Sequence, residues 1–573
     1  MISLRRAGVV GLEIVLAFTP LLWGAHHYFS AAKIPGDLGD ARFNMYVLEH
    51  GFLWLSGRDS SFWSAPFFFP AKDVIAYSDN LLGSLPLYAF FRWFHYGRES
   101  SFQLWIVVSF FLNYGASYWV MRKWGLPFFG AVSGSYVFTF ALPVMGQVGH
   151  AQLFARFMVP VGFYYWLKFL EGRRLGDWSI SLMALLWQVY LGIYTGYFLG
   201  MAYALTLVSR WLLLQSYEVP NETIKIRSRF IICRAIADIR HFFAILRKSK
   251  TRPFLLSFGS FVLGLVPLAI PYGTVALEMG GRSWNEISSM LPRLSSYFRA
   301  PQSIFYGKFF HWGDDLPLPW EHMIFVGIIP FVCLTAFPFW IRTRRLSEPK
   351  VMTLRIAWGA LLVFFVLTFE VGKLSMYWFI ALMPGVDAIR AVTRYMLVMI
   401  FPVAFIMGAL LSSFLEQFQS LFPFRKSVGS MIFFYLAAIA SIVFVVGDQV
   451  SDFPSYSKQA TLDRVGLMKA QMIDSMKING VVSSQVVVWV NQNNSQFFQR
   501  QIDAMLAAQE LGIPTINGYS GNVPKGYPGD LFYLSKGKCN GLKQWMSFHK
   551  QDFSGKTLLV IGDPCPNMEA IKL

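Results

Sequence analysis

The chain has 573 residues, of which 55% are hydrophobic and only 14% are charged, and its mean hydropathy is +0.45. Soluble domains carry about a quarter charged residues, so the composition excludes an ordinary soluble fold and indicates a polytopic membrane protein. The formal net charge of +18 does not indicate nucleic-acid binding, because the basic residues lie on alternate loops between apolar runs.

Apolar runs of the length that crosses a bilayer predict about eleven transmembrane helices. These predicted spans cover residues 7–30, 102–121, 128–146, 157–170, 179–195, 197–213, 254–272, 323–341, 351–370, 392–412 and 428–447. A turn between Gly192 and Gly196 must split one long apolar run into two of them. The first run is longer than the core of a signal peptide, so we expect it to remain as a span.

Lysine and arginine mark one side of the predicted membrane domain. Four short loops carry Arg122 and Lys123, Arg173 and Arg174, Arg342 to Arg345, and Arg425 and Lys426, and the long loop 209–252 carries ten basic residues. By the positive-inside rule these loops and the N-terminus are cytoplasmic. The transmembrane domain, residues 1–449, then has two large outer loops, 31–101 and 273–321. We expect a bacterial cytoplasmic membrane.

The composition becomes that of a soluble protein after the last span. Residues 450–573 contain two strand-like runs, Val486–Val490 and Thr557–Gly562, and a helix-like run, Gln501–Leu511. The sequence therefore predicts a small C-terminal α/β domain, which the odd number of spans places in the periplasm. An oxidising compartment would allow Cys539 and Cys565 to form a disulfide there, although free thiols are equally open.

Motifs of soluble enzymes are missing from this sequence, including phosphate-binding glycine loops, dinucleotide fingerprints, zinc spacings and nucleophile elbows. Chemistry must therefore come from polar residues at the outer membrane face. Asp37 and Asp40 lie there, directly after the first span, where an enzyme with a membrane-bound substrate would place a base.

The order of these features resembles the GT-C superfamily of membrane glycosyltransferases, which use polyprenyl-phosphate sugars. The resemblance rests on the first span, the loop Gly36–Asp40, the long outer loops, the many spans and the terminal α/β domain. Segments Glu321–Gly327, Pro384–Arg394 and Asn517–Gly521 look like those of uncharacterised bacterial members. The resemblance implies a mainly α, GT-C-like fold. It also implies inverting transfer of a hexose or pentose to a glycan, lipid or protein of the cell envelope.

The resemblance also implies roles for individual residues. The catalytic base is Asp40 or Asp37. Arg390 and Arg394 are four residues apart and are expected on one helix face, where they would clamp the lipid phosphate. Further candidates for binding substrate or phosphate are Arg299, Asp79, His150, Glu321 and His322. A divalent cation, Mg²⁺ or Mn²⁺, is a possible cofactor, and the bilayer is the expected partner rather than nucleic acid.

Each of these interpretations has a structural alternative. Asp40 is equally suited to pairing with Arg42 or capping a helix, and Arg390 and Arg394 to anchoring the chain at the interface. Glu321 and His322 are also compatible with marking only the end of a span. The alternative functions are a lipid or glycolipid transporter, which typically shows internal repeats that this sequence lacks, and a non-catalytic assembly factor.

Overall fold

The computed structural model describes residues 2–172, 174–218, 251–343, 349–383, 385–420, 428–491, 497–529, 531, 539–563 and 571–572. The protein is mainly helical. Its helices are Ile2–Tyr28 (α1), Asp40–Leu55 (α2), Leu85–Trp93 (α3), Arg98–Lys123 (α4), Phe128–Phe140 (α5), Leu142–Met145 (α6), Met158–Gly172 (α7), Leu175–Leu191 (α8), Ile193–Glu218 (α9), Thr251–Met279 (α10), Trp284–Ser289 (α11), Ile328–Arg342 (α12), Pro349–Thr368 (α13), Tyr377–Ala381 (α14), Met396–Ser420 (α15), Val428–Asp448 (α16), Lys458–Ile478 (α17), Phe497–Leu511 (α18), Asn540–Phe548 (α19) and Lys550–Phe553 (α20). The strands are Lys33–Pro35 (β1), Ser455–Ser457 (β2), Val486–Asn491 (β3), Thr557–Gly562 (β4) and Ile571–Lys572 (β5).

A helix lies at each of the predicted spans. Among the described residues, five helices are long and apolar enough to cross a membrane, and two shorter apolar helices accompany them. The five cover Arg98–Lys123, Phe128–Met145, Arg252–Met279, Lys350–Thr368 and Val392–Ser420. The total of eleven spans and their orientation stay predictions. Most of the basic loop 209–252 lies outside the described residues.

Two helix boundaries have clear local causes. The apolar run 179–213 is divided at Gly192, whose extended backbone ends α8 one residue before α9 begins. The predicted span 323–341 starts five residues late, because Asp448 accepts hydrogen bonds from the amides of Ile328 and Ile329 and so caps the start of α12. Gly327 has φ +94° there, and a Cβ at this position would lie 2.2 Å from Asp448.

The centre of the molecule is built on α5 and α15, which are almost entirely buried. Their backbones approach closely where Gly130 faces Gly408, since a Cβ on Gly130 would lie 2.3 Å from the Gly408 carbonyl oxygen. Small residues at such crossings allow tight packing where lipid removes most of the hydrophobic driving force.

The C-terminal segment is joined to the beginning of the chain. Strand β1 pairs antiparallel with β2, which brings Ile34 opposite Tyr456. Strands β3 and β4 pair in parallel, and β5 adds antiparallel to β4. The strand-like and helix-like runs predicted in this segment correspond to β3, β4 and α18.

Polar contacts hold α18 and the segment after it against α2 and the loop that follows α2. Arg42 of α2 pairs with Asp503 of α18, and both side chains are buried. Gln509 donates to the Tyr46 carbonyl at 3.1 Å, and Phe68 donates its amide to Asn517 at 3.1 Å. The C-terminal segment therefore packs against the region between residues 42 and 68. Its division into a separate domain at residue 450 stays a prediction.

The cysteines are partly described. Cys539 is held in a disulfide, whereas Cys333 is a buried free thiol. Cys565, the partner that the sequence suggests for Cys539, lies outside the described residues, as does Cys233.

Candidate active site

The loop before α2 fixes the position of Asp40. Gly36 has φ +117°, and a Cβ there would lie 2.4 Å from the Cβ of Ala41, so the turn favours glycine. Asp37 accepts hydrogen bonds from the amides of Gly39 and Ala41, both at 3.1 Å. Asp37 therefore shapes the turn, and Asp40 is the first residue of the helix that follows.

Four charged side chains from four separate segments form a continuous row, which we call the charge row: Asp40, His150, Glu321 and Arg394. Asp40 Oδ2 lies 2.8 Å from His150 Nδ1, and His150 Nε2 lies 3.3 Å from Glu321 Oε1. Arg394 binds Glu321 with two nitrogens, Nη2 at 2.7 Å and Nε at 3.1 Å. Negative and positive groups thus alternate along the row.

Tyr519, from the C-terminal segment, completes the surroundings of Asp40. Its hydroxyl donates to Asp40 Oδ1 at 2.5 Å. The loop that carries it is tightly held, because the Asn517 side chain bonds both backbone groups of Val490 and the side chain of Gln501. Both oxygens of Asp40 therefore have a polar partner, one from each half of the chain.

These contacts determine the protonation of the row. Enclosure in the protein raises the pKa of Asp40, but the hydrogen bond and charge of His150, the Tyr519 hydroxyl and the charge of Arg394 outweigh it and leave that pKa below its ordinary value. Enclosure and Arg394 lower the pKa of His150, whereas Asp40 and Glu321 raise it to about 9. For Glu321, Arg394 and His150 overcome the effect of burial and hold the pKa far below its usual range. At neutral pH the row consists of two carboxylates and two cations.

The row lies on the wall of a cavity of about 610 Å³. Aromatic rings of Tyr194, Tyr272, Trp320 and Tyr519 line the same space. The Arg394 guanidinium lies 5.0 Å from the centre of the Tyr194 ring, a cation–π distance that holds it at the cavity wall.

A second group of cations borders the cavity. Arg390 Nη1 lies 2.8 Å from Glu286 Oε1, and Arg282 Nη1 lies 3.4 Å from the same oxygen. Arg282 also donates to Gly521 and Asn522 of the Tyr519 loop. Two guanidinium groups share one carboxylate, so this group has an excess of one positive charge.

Arg390 and Arg394 both reach the cavity, but not from one helix face as the i, i+4 spacing predicts. Arg390 precedes a short 3₁₀ turn over Val392–Tyr395, and Ala391 has ψ 75°, which is not helical. The helix begins only at Met396. The two arginines therefore bind different acids, and the expected helical pair is wrong.

Asp79 lines the cavity from the segment between α2 and α3. One of its oxygens accepts the amide of Ile193 at 2.6 Å and so caps the start of α9. Burial raises the pKa of Asp79 to about 6, against the opposing effects of this amide and of the charges on Arg394 and His150.

The structure does not bring Arg299 and His322 to this cavity. Arg299 pairs with Asp314 and donates to the Pro319 carbonyl at 2.8 Å. The His322 ring lies between Ser296, at 2.8 Å, and the Ser289 carbonyl, at 3.0 Å, and burial lowers its pKa. Both hold the loop 273–321 and the start of the following segment together, and their proposed role in substrate binding stays a prediction without positional support.

The donors present do not match a site for Mg²⁺ or Mn²⁺. Among the described residues, no three His, Cys, Asp or Glu side chains are placed to hold a metal ion. Asp40 and Glu321 instead face His150 and Arg394. The divalent cation expected from the sequence, Mg²⁺ or Mn²⁺, stays a prediction.

Comparisons with known proteins give only distant similarity. No family model matches the chain, and no curated protein matches it. Among solved structures, the chain is similar to the archaeal oligosaccharyltransferase AglB from Archaeoglobus fulgidus in complex with an inhibitory peptide and a dolichol-phosphate, with 11% identity, a TM-score of 0.46, and coverage of 96% of this chain and 69% of that one.

Two other structures of an Archaeoglobus fulgidus oligosaccharyltransferase give similar values. The apo form has 12% identity and a TM-score of 0.44 over 96% of this chain. The form tethered to an acceptor peptide has 13% identity and a TM-score of 0.43 over 88% of this chain. The chain spans 64% of the length of each. TM-scores below 0.5 are too low to assign a function.

Proposed function

We propose that the protein is a glycosyltransferase that moves a sugar from a polyprenyl-phosphate donor to an acceptor at the outer face of the membrane. The observation that supports this best is the charge row on the wall of the cavity. It places an ionised carboxylate, Asp40, for an acceptor hydroxyl in the same cavity as Arg282 and Arg390, which suit a phosphate, at one end of a helical membrane domain.

In the proposed reaction, Asp40 is the base. The acceptor oxygen forms a bond to the anomeric carbon while the bond from that carbon to the phosphate oxygen breaks, and the acceptor proton passes to Asp40. A carboxylate of low pKa is a weak base, so the proton moves late, when the new bond has made the hydroxyl acidic. One displacement with one base inverts the anomeric configuration.

The leaving phosphate is assigned to the arginines. Arg394 is already balanced by Glu321, whereas Arg390 and Arg282 share Glu286 and keep an excess of positive charge. We therefore propose Arg390, assisted by Arg282, as the principal phosphate ligand. Guanidinium groups bind two phosphate oxygens at once and suit this role.

An apolar path leads to these cations. Helix α10 has a largely exposed face, with Leu263 71% and Leu277 90% exposed, and it ends at Met279 on the cavity wall. A polyprenyl chain lying along this face in the outer leaflet would bring its phosphate to Arg282 and Arg390. The proposal includes the periplasmic location of the cavity and an acceptor in the cell envelope.

The experiment is a cleavage assay with full-length protein in liposomes. Polyprenyl phosphates bearing radiolabelled glucose, mannose, N-acetylglucosamine or arabinose are supplied with a bacterial envelope extract as the source of acceptors. We expect protein-dependent release of the label from one of these carriers. If no donor is cleaved but labelled lipid crosses the bilayer, the protein is a transporter and the proposal is wrong.

A further inference from the structure

The cavity has a second polar wall that the charge row does not include. We call it the acceptor wall, after its hydrogen-bond acceptors and not after the acceptor substrate. It consists of Asn44, Gln152 and Asp79, each at least nine-tenths buried and each lining the cavity. Asn44 Nδ2 donates to the Asp40 carbonyl and to Gln152 Oε1, both at 2.7 Å. The acceptor wall is therefore continuous with the start of α2, where Asp40 lies.

Gly192 lies close to both Gln152 and Asp79. A Cβ on Gly192 would lie 2.9 Å from the Gln152 carbonyl oxygen and 3.9 Å from Asp79 Oδ1. A side chain at this position would therefore clash with the Gln152 backbone.

The wall has hydrogen-bond acceptors without donors. Asn44 Oδ1 has no partner among the described residues, but the protein covers this atom almost completely, so it is not itself open to the cavity. Asp79 is 5% exposed and makes a single hydrogen bond there, from Ile193 to Oδ1, which leaves Oδ2 for a molecule in the cavity. Buried acceptors without donors are costly, so the wall is suited to a ligand that supplies O–H groups.

We propose that the acceptor wall binds the hydroxyl groups of the donor's sugar, with Asp79 as the principal acceptor. This rests on the proposed function and narrows the expectation that Asp79 binds substrate or phosphate to the sugar of the donor, since a carboxylate repels a phosphate. At neutral pH Asp79 is ionised, and hydrogen bonds to a charged acceptor are stronger than neutral ones. The sugar then lies between Asp79 and Asp40, with its phosphate toward Arg390.

The test compares the binding of undecaprenyl phosphate with that of undecaprenyl-phosphate glucose to full-length protein in detergent at pH 7.5. The ratio of the two Kd values measures what the sugar adds. In Asp79→Asn, which keeps the shape of the side chain, and in Asp79→Ser, which still caps α9, we expect carrier binding to be unchanged. We expect the sugar's contribution to fall at least about tenfold, the effect of a lost bond to a charged group.

The matched control is Asp448→Asn. Asp448 is also a buried carboxylate that caps a helix, through the amide of Ile328 at 3.0 Å, but it does not line the cavity. We expect this variant to keep the sugar's contribution.

Three results overturn the inference. The first is full sugar affinity in both Asp79 variants. The second is a wild type for which glucose, mannose, N-acetylglucosamine and arabinose all add nothing to carrier binding. Both results leave the proposed function intact. If only an amino sugar on the carrier loses affinity in Asp79→Asn, the wall binds an ammonium group instead of hydroxyls. A wild type that binds the phosphate carrier no better than undecaprenol contradicts the proposed function itself.

Discussion

The hydroxyl of Tyr519 donates a 2.5 Å hydrogen bond to Asp40, a residue 479 positions earlier in the chain. The other oxygen of the same carboxylate lies 2.8 Å from His150 Nδ1. The C-terminal segment thus contributes to the site directly, and the orientation of Asp40 depends on both halves of the protein.

Removing this bond should slow sugar transfer without affecting the fold. In Tyr519→Phe the ring stays and the hydroxyl is lost, so we expect a fall of about tenfold in kcat, as for one hydrogen bond to a charged group. Because the bond also lowers the pKa of Asp40, the acidic limb of the pH–rate profile should move to higher pH. Tyr527→Phe, which loses a bond to the Ile516 carbonyl in the same segment, is the control. Equal effects in both variants would assign Tyr519 a purely structural role.

The contact between Arg42 and Asp503 should be needed to dock the C-terminal segment. Both side chains are buried, and Asp503 also receives Arg464 at 3.1 Å. In Arg42→Met the remaining Arg464 only partly balances the charge of the buried Asp503. Removing one partner of a buried ion pair typically lowers the free energy of unfolding by about 3 to 5 kcal/mol. We expect a lower melting temperature and faster proteolysis. The double variant Arg42→Met, Asp503→Leu should recover much of this loss; no recovery would show that the charge imbalance is not the cause.

The stabilising effect of His150 should disappear in alkaline solution. The neighbouring acids raise its pKa from 6.5 to about 9, so the folded protein binds the proton more tightly than the unfolded chain does. The contribution of His150 to the stability of the fold is complete below pH 6.5 and is lost as the pH rises through 9. We expect wild type to melt well above His150→Gln at pH 6 and close to it at pH 9.5. A gap independent of pH would contradict this protonation state.

Asp79 should reduce stability at neutral pH. Its pKa is raised from 3.8 to about 6, so ionisation in the folded state is unfavourable, and stability falls as the pH rises from about 4 to 6. Asp79→Asn removes that cost, and we expect a higher melting temperature than wild type at pH 7.5. The difference should shrink when melting is measured at pH 4. A variant less stable than wild type at both values would show that the carboxylate is needed for the α9 cap.

Much of the architecture follows from the sequence because apolar runs and glycine positions are local signals. The helices, the break at Gly192 and the strands around Val486 and Thr557 are examples. The direction of individual side chains is not local. Glu321 and His322 are neighbours, yet one joins the charge row and the other binds Ser296.

The resemblance pointed to the segment Asn517–Gly521 but not to a role for Tyr519 within it, and residues of this kind act through distant partners. Tyr519 and Glu286 gain significance only when the chain folds, because each meets a charge from another segment. Asn44 offered one usable signal, since it follows Asp40 by one helical turn and therefore shares its face. The expected pair of Arg390 and Arg394 failed because the spacing was interpreted as helical where the backbone is not.

The most direct test of the account is sugar transfer by Asp40→Asn, measured beside binding of the polyprenyl-phosphate carrier. The substitution keeps the shape of the side chain and removes the base, so transfer should fall by roughly 10²- to 10⁴-fold while carrier binding is retained. Asp37→Asn, three residues earlier and bonded to its own loop, is the matched control and should keep most of its activity. Full activity in Asp40→Asn would contradict the assignment of Asp40 as the base.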